Sequence, residues 1–473
     1  MSLDLHVPGS GMSSGMTRRT FVKTAAVVVP TVAGAAGGMG SITGLAHAMA
    51  PSGFFAEGSD TIRLGLIGCG GRGTGAATQA LGADGGCVLE SMGDVFKERI
   101  DSSLKNITDH MREQVGDKVG QRVDVPAERQ FVGWDAYQRV IDSGVDVVLI
   151  TGYPGFRPQH LKAAIAAGKH VFAEKPLAVD APGIRSVIES AELATSKHLA
   201  LLVGFCWRYN ASMREAFKRV LDGSLGDITS VHTTYLTGTL GKRPRKPEWQ
   251  ELEFQMRNWW HFTWISGDHI VEQAVHSIDR LAWAMNDRLP ERVICLGGNA
   301  ARTGEESGNS FDHFAATYEY AGGLRAFHTC RQQDGLPSDN TDYVYGTKGH
   351  AVINGWTAKF PMHGYGVGGG GADGNAPVIW DGKGDPGDAG RMYEDEHKEL
   401  FASIRAGKPI NDGVRAANSC MMAIMARMAA YTGQTITWEQ AMNSKESLVP
   451  GSLSWDMKLP KPEVAVPGKT KFV

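Results

Sequence analysis

The sequence has few cysteines and no paired cysteine motif. Its six cysteines stand singly, and no two of them form a CxxC pattern. This spacing excludes a disulfide framework and a thiolate zinc site as organising features. The sequence also lacks a long basic run, and its formal net charge is only -3. Nucleic acid is therefore not expected as a partner.

The length of the chain is too great for one small hydrophobic core. It has 473 residues, of which 42% are hydrophobic, and it contains no internal repeat. Chains of this size usually divide into domains with separate cores. We therefore expect two packed domains.

The N-terminal segment has the pattern of an export signal. Residues 17–23 read TRRTFVK, an uncharged stretch follows to about residue 40, and residues 46–48 read AHA. A twin-arginine motif, a modest apolar region and a small-x-small cleavage site predict a Tat signal over residues 1–48. The alternative is a membrane helix, for which the apolar stretch is short. We expect a periplasmic protein with no membrane span once residues 1–48 are removed, and a linker over residues 49–60.

Strand and helix patterns alternate in the first third of the mature chain. Apolar runs typical of buried strands occupy residues 62–67, 87–92, 145–150 and 170–173, with helical patterns at residues 74–81 and 158–167. Strands that alternate with helices indicate an α/β fold with a doubly wound parallel sheet. We assign a Rossmann domain to residues 61–178.

The second half has a different order of elements. Strand patterns occur at residues 228–236, 292–297, 314–320, 324–330 and 343–345, with a glycine turn at residues 321–323. Strands joined directly predict a mostly antiparallel sheet, which needs cover on one face. Helical patterns follow at residues 394–405 and 416–432. We assign residues 179–443 to a second α/β domain, with helices that return to the first, and residues 444–473 to a tail.

A glycine-rich turn joins the first predicted strand to the first predicted helix. Gly68, Gly70 and Gly73 form the pattern G-x-G-x-x-G. Such glycines permit a tight turn, close approach of a pyrophosphate to backbone N–H groups, and close packing of helix on strand. The alternative is an ordinary surface turn. The predicted dinucleotide site also includes Gly71, Arg72 and Thr151.

An acidic residue ends the second predicted strand. Asp94 lies where a carboxylate accepts hydrogen bonds from the adenosine ribose. Its charge would repel a 2′-phosphate, so the expected cofactor is NAD. Lys97 and Arg99 follow closely and keep NADP possible.

Residues 168–177, which read GKHVFAEKPL, resemble the signature of the Gfo/Idh/MocA oxidoreductases. The resemblance runs from about residue 61 to residue 443 and includes the VGF at 203–205 and the RMAAYTG at 427–433. It implies a Rossmann domain followed by a domain with a large open sheet. One face of that sheet would cover the active site and the other would support a homo-oligomer. It also implies that Glu174 and Lys175 contribute to the cofactor site and that Lys175 lies beside the nicotinamide. The Lys175–Pro176 bond is a candidate for the cis form.

The resemblance also brings out a second catalytic segment. Many members carry D-x-x-x-H, and the matching residues here run from Glu272 to His276, so glutamate replaces aspartate. A neutral histidine is suited to accept a hydroxyl proton near neutral pH. We expect His276 to be the base, Glu272 to orient it from the same helix face, and Lys175 to stabilise the developing alkoxide.

Other residues of this region allow two interpretations each. His269, Glu272 and His276 have the spacing of a two-histidine, one-carboxylate metal site, although the family chemistry needs no metal and we expect none. Arg208, Tyr209, Trp264 and Asp279 are candidate substrate contacts. Their alternatives are a structural ion pair or hydrogen bond, and for the tryptophan simple core packing.

Three functions fit these patterns. The leading one is a periplasmic sugar or polyol dehydrogenase with tightly held NAD, which would oxidise one sugar and reduce another. The second is a glycosidase that uses bound NAD for transient oxidation. The third is a cofactor-binding protein without catalysis. The expected ligand in the first two is a small carbohydrate.

Overall fold

The computed structural model describes residues 60–365, 376–459 and 462–473. The predicted signal and all but the last residue of the predicted linker lie outside these residues. No helix within the described ranges combines the length and the apolar character needed to cross a bilayer.

The first sheet has six parallel strands in the order β3-β2-β1-β4-β5-β6. The strands are β1 (Ile62–Ile67), β2 (Cys87–Asp94), β3 (Gln130–Val132), β4 (Val147–Ile150), β5 (His170–Ala173) and β6 (Leu201–Val203). The order is that of a Rossmann fold, which confirms the doubly wound prediction. Strand β6 belongs to this sheet although it follows residue 178, where the sequence placed the end of the domain.

Five helices connect these strands. They are α1 (Gly71–Ala83), α2 (Lys97–Val115), α3 (Ala136–Asp142), α4 (Arg157–Ala166) and α5 (Ala181–Ser196). Every residue of β4 is buried, as expected for a parallel strand covered on both faces. The start of α5 follows the usual rules for a helix N-terminus, because the Asp180 carboxylate accepts from Gly183 N at 2.8 Å and a proline occupies the first turn.

The second sheet has nine strands in the order β14-β13-β12-β11-β7-β10-β9-β8-β15. They are β7 (Ile228–Thr237), β8 (Arg292–Gly298), β9 (His313–Glu319), β10 (Arg325–Gln332), β11 (Thr341–Gly346), β12 (Gly349–Asn354), β13 (Met362–Gly364), β14 (Val378–Trp380) and β15 (Ile436–Thr437). Among the described strands of this sheet only β7 and β10 pair in parallel, so the mostly antiparallel open sheet is confirmed.

Helices cover one face of this sheet and also reach the first domain. They are α6 (Ala211–Leu221), α7 (Glu251–Arg257), α8 (Thr263–Ser266), α9 (His269–Glu272), α10 (Val275–Ala284), α11 (Asp388–Arg405), α12 (Gly413–Thr432) and α13 (Trp438–Asn443). Helix α12 is buried along most of its length, and Tyr318 on β9 donates a hydrogen bond to its Met422 O at 2.9 Å. Helix α11 packs on α1, so residues late in the chain adjoin the glycine-rich turn.

Candidate active site

The glycine-rich turn has the geometry of a pyrophosphate cradle. Gly68 has φ +93°, and a Cβ there would lie 2.3 Å from Gly152 N. A Cβ on Gly73 would lie 1.9 Å from Gly68 O, so only glycine lets α1 pack so closely on β1. Around Gly70, which caps α1, a Cβ would meet nothing within 4 Å. This open space at a helix N-terminus fits the phosphates of a dinucleotide.

Asp94 lies at the end of β2, beside the glycine-rich turn. Its carboxylate accepts from Cys69 N at 2.7 Å and from Phe96 N at 3.0 Å, and burial raises its pKa. Two backbone donors leave lone pairs on the carboxylate for the hydroxyls of a ribose. The structure therefore brings Asp94 to the position that the sequence predicted.

The two basic residues after Asp94 are engaged elsewhere. Lys97 forms an ion pair with Asp101 on the exposed face of α2. The Arg99 guanidinium lies 4.8 Å from the ring centroid of Phe96 and 5.3 Å from that of Tyr153. A 2′-phosphate would have to draw one of them away from these contacts, so the arrangement favours NAD.

Asp94→Ala is expected to weaken NAD binding by about 10- to 100-fold, the usual effect of losing hydrogen bonds to a charged group. Binding of NADP should weaken less, because repulsion of the 2′-phosphate disappears. Fluorescence titration with both cofactors measures the ratio of their Kd values. Asp109→Ala, on the exposed face of α2, is the control. An unchanged ratio in Asp94→Ala would remove Asp94 from the ribose site.

Three side chains connect the glycine-rich turn to neighbouring segments, namely those of Arg72, Thr151 and Glu174. Thr151 Oγ1 donates to Gly68 O at 2.6 Å. Arg72 forms ion pairs with Glu174 and, at 3.2 Å, with Glu396 of α11. No local motif marks Glu396, and its contact with Arg72 spans 324 residues of sequence, so the sequence did not identify it.

Lys175 follows β5 and lies against the start of the second catalytic segment. Its side chain is 12% exposed, and Nζ donates to Glu272 O at 2.5 Å and lies 3.4 Å from Glu272 Oε1. The Lys175–Pro176 bond is cis, the form that the resemblance suggested. Glu272 is thus the partner of Lys175. The structure contains no hydrogen bond between Glu272 and His276 within the described residues.

The expectation of one continuous helix through Glu272 and His276 is wrong. Helix α9 ends at Glu272 and α10 begins at Val275. At the junction His269 O accepts from both Gln273 N and Ala274 N, at 2.9 and 3.0 Å. The second bond spans five residues, as in a π-type turn, so one extra residue rotates His276 away from the face of Glu272.

His276 is neutral in this setting. Burial, reinforced by the positive charge of Lys175, lowers its pKa well below the ordinary value. Its buried Nδ1 has no hydrogen-bond partner, and its ring meets that of Phe205 edge to face at 6.1 Å. A neutral imidazole beside an ammonium group is arranged to accept a proton from a bound hydroxyl.

His269, Glu272 and His276 are the residues of the metal alternative. The Nδ1 atom of His269 lies 3.0 Å from Phe311 O and 3.1 Å from an Asp268 carboxylate oxygen. Within the described ranges, no three His, Cys, Asp or Glu side chains are grouped so that they could hold a metal ion.

Four predicted substrate contacts lie in other environments. Arg208 Nε donates to Asp279 Oδ2 at 2.8 Å, and Asp279 also accepts from Arg415 and Ser419, so these charges satisfy one another. Tyr209 is buried in the core of the first domain. Trp264 Nε1 donates to Gln255 Oε1 at 2.6 Å. Within the described residues these four side chains form no hydrogen bond with Lys175, Glu272 or His276. Their substrate roles stay predictions.

Two family models cover most of the described fold. Residues 62–205 match the model described as "Oxidoreductase family, NAD-binding Rossmann fold", and residues 213–352 match the GFO/IDH/MocA C-terminal domain. The chain belongs to the Gfo/Idh/MocA family. This Gfo/Idh/MocA protein therefore carries an NAD-binding Rossmann domain, and the geometry of its glycine-rich turn and Asp94 fits that cofactor.

Curated relatives resemble the Gfo/Idh/MocA chain over part of their length. Inositol 2-dehydrogenase of Acidiphilium cryptum is 29% identical over 48% of this chain and 55% of its own. The trans-1,2-dihydrobenzene-1,2-diol dehydrogenase of Mus musculus is 28% identical over 46% of this chain and 62% of its own. The chain thus matches about half to three-fifths of the length of these relatives.

Solved structures share the fold at low sequence identity. Levoglucosan dehydrogenase in complex with NADH and levoglucosan has a TM-score of 0.61 at 17% identity, over 80% of this chain and 99% of that one. Scyllo-inositol dehydrogenase of Lactobacillus casei, with bound NAD(H) and scyllo-inositol, has a TM-score of 0.59 at 19% identity over the same shares.

Proposed function

We propose that this protein is an NAD-dependent dehydrogenase that interconverts a hydroxyl and a carbonyl group of a sugar or polyol. The observation that carries the proposal is the position of Lys175 just after β5, where it donates to Glu272 and its charge acts on a neutral His276. Glu174, its neighbour in sequence, pairs with Arg72 of the glycine-rich turn. The names of the curated relatives, which include inositol 2-dehydrogenases, support the choice of substrate class.

The side chains divide the reaction between them. Bound NAD supplies the hydride acceptor. The Lys175 ammonium lies where it stabilises negative charge on the substrate oxygen, and the His276 imidazole takes the hydroxyl proton. The buried, unpartnered Oε2 of Glu272 is an acceptor for a neighbouring hydroxyl. In the reverse direction the imidazolium returns the proton.

We also propose that the protein acts in the periplasm with a cofactor that does not exchange. The twin-arginine pattern at residues 17–23 supports export in the folded state, and a folded Rossmann domain encloses its dinucleotide before transport. A cofactor lost outside the cytoplasm would not be replaced. A closed cycle, in which one sugar reduces the cofactor and a second carbonyl compound reoxidises it, follows from this location.

The full chain, purified from the periplasmic fraction and desalted, is expected to retain close to one nicotinamide cofactor per chain. Adding a sugar should reduce that cofactor, and adding a second carbonyl substrate should reoxidise it without free NAD. Absorbance of the reduced nicotinamide follows both steps. A chain that emerges empty and works only in excess NAD would contradict the closed cycle, and one found only in the cytoplasm would contradict the location.

The open face of the second sheet supports a homo-oligomer. Ile294, Leu296, Phe327 and Tyr345 are exposed there, and Leu296 is 74% exposed. Apolar side chains that share a sheet face mark an interaction surface. Leu296→Lys is expected to shift the protein toward monomer in sedimentation analysis, with cofactor binding unchanged. An unaltered assembly state would place the interface elsewhere.

A further inference from the structure

Arg302 is a buried cation whose side chain forms no direct ion pair with a carboxylate within the described residues. It lies in the segment after β8 and is 4% exposed. Its Nη2 donates to Gln332 Oε1, whereas Nε and Nη1 are buried and have no hydrogen-bond partner within the described part of the chain. Burial lowers the pKa of Arg302. Buried N–H groups normally have an acceptor, so these two nitrogens point to a ligand that supplies hydrogen-bond acceptors.

The carboxylates nearest to Arg302 are occupied by other donors. Asp312 accepts from Ala300 N at 2.8 Å and from the side chain of Gln333 at 3.0 Å, among others. Asp268 accepts from Phe311 N at 2.7 Å and from the Tyr431 hydroxyl. Both carboxylates act on the charge of Arg302, but neither forms a hydrogen bond with its side chain within the described part of the chain.

Two glutamines connect Arg302 to the catalytic segment. Gln332, at the end of β10, accepts from Arg302 and donates to Gln273 Oε1 at 2.9 Å. Gln273 follows Glu272, whose carbonyl oxygen accepts from Lys175. Arg302 is therefore connected, through Gln332 and Gln273, to the π-type turn between α9 and α10. It lies on the side of this turn that faces the second sheet.

Further unpartnered polar atoms surround the same place. The Nδ1 atom of His261 and the hydroxyl of Ser310 are buried without hydrogen-bond partners. Ser310 N donates to His261 O at 3.3 Å, and burial together with the charge of Arg302 lowers the pKa of His261 to about 4. Buried polar atoms in such a group normally bind ordered water or a ligand.

A basic loop adjoins this group. Residues 242–246 read KRPRK, and Lys242 Nζ donates to Ser307 Oγ at 2.7 Å, which places the loop beside the segment of Arg302. Arg245 pairs with Glu251 and Glu305, whereas Lys242 and Arg243 form no ion pair within the described residues. A positive surface next to a buried cation favours the approach of an anion.

We propose that Arg302 binds an anionic substituent of the substrate, and that the substrate is a sugar acid with one negative charge. The inference rests on the proposed dehydrogenase function and names its substrate class. Asp268 and Asp312 already act on the charge of Arg302, so a substituent with one negative charge, a carboxylate or a sulfate monoester, fits this site better than a phosphate dianion. Gln273 and Gln332 position Arg302, and Lys175 and His276 act on a hydroxyl of the same molecule.

The test compares substrates that differ only in charge. The full chain with its cofactor is given hexuronates, the corresponding hexuronamides and sulfated hexoses, and reduction of the cofactor is followed. At least one anionic sugar is expected to exceed its neutral counterpart by about 10- to 100-fold in kcat/KM, the range for hydrogen bonds to charged groups. The carboxylate and sulfate arms distinguish the two anions. Equal or faster reaction of the neutral sugars overturns the inference.

Variants locate the effect at Arg302. Arg302→Gln should abolish the preference for the anionic sugar, mainly through KM, and keep the reaction of the neutral one. Arg302→Lys should retain part of the preference. It can be measured in place of Arg302→Gln if the glutamine variant does not fold. Arg325→Gln, whose side chain is 58% exposed on the second sheet, is the control and should keep the preference. A preference that survives Arg302→Gln overturns the inference.

Calorimetry separates this inference from the proposed function. If no sugar reduces the cofactor, the proposed function fails, yet direct binding of a hexuronate and its amide is still measurable. Binding of the acid alone, lost in Arg302→Gln, supports the anion site independently of turnover. Binding of neither compound overturns it.

Discussion

Replacing Lys175 by alanine is expected to slow hydride transfer by about 100- to 1000-fold, the usual cost of removing one group that stabilises an oxyanion. The side chain is 12% exposed and Glu272 fixes its ammonium group, so alanine leaves no cation at that position. Cofactor binding should change little, because the glycine-rich turn and Asp94 hold the phosphates and the ribose.

The decisive measurement is the single-turnover reduction of bound cofactor by a saturating sugar. Lys162→Ala, on the exposed side of α4, is the matched control. Wild-type rates in Lys175→Ala, with cofactor content preserved, would show that this lysine is not at the reacting centre.

Replacing His276 by alanine is expected to lower kcat/KM by about 100- to 10,000-fold, the range of general base catalysis. Because burial and Lys175 lower the pKa of His276, the imidazole stays neutral as the pH falls below the ordinary histidine value. The wild-type protein should therefore keep its activity through pH 6.5 and lose it only in more acidic solution, where His276 is protonated.

The pH profile tests this role separately from the rate. In His276→Ala the acidic limb should disappear along with most of the activity, whereas His350→Ala, on the second sheet, should keep both. If the activity of His276→Ala fell in acid with the same midpoint as that of the wild-type protein, the titrating group would be another residue.

The parts of the fold and of the proposed site that the sequence makes visible depend on local chemistry. Gly68 and Gly73 are required by a φ of +93° and by a gap too small for a Cβ, and both constraints operate within a few residues. Asp94 ends a strand whose apolar run is visible in the sequence. The parallel and antiparallel sheets follow in the same way from the spacing of apolar runs.

The parts that the sequence did not predict depend on distant contacts. Nothing between Glu272 and Val275 opposes a helix, since no glycine or proline occurs there. The π-type turn between α9 and α10 occurs where Lys175 donates a hydrogen bond to Glu272 O and Gln332 donates one to the side chain of Gln273. Similarly, Arg302 and Glu396 are single polar residues whose partners are far away in sequence. Tertiary contacts of this kind leave no periodic signal.

The return of α11 to the first domain fixes the order in which the protein is completed during synthesis. Leu400, Phe401 and Ile404 share one core cluster with β1 and α1, and Leu201 N donates to Ile410 O at 2.9 Å. A ribosome that has released only the first 205 residues has therefore made every strand of the first sheet but not the helix that closes its core. The core of the nicotinamide-binding half is complete only when some 200 further residues have been made, about ten seconds or more at ordinary rates of elongation, even though its sequence comes first.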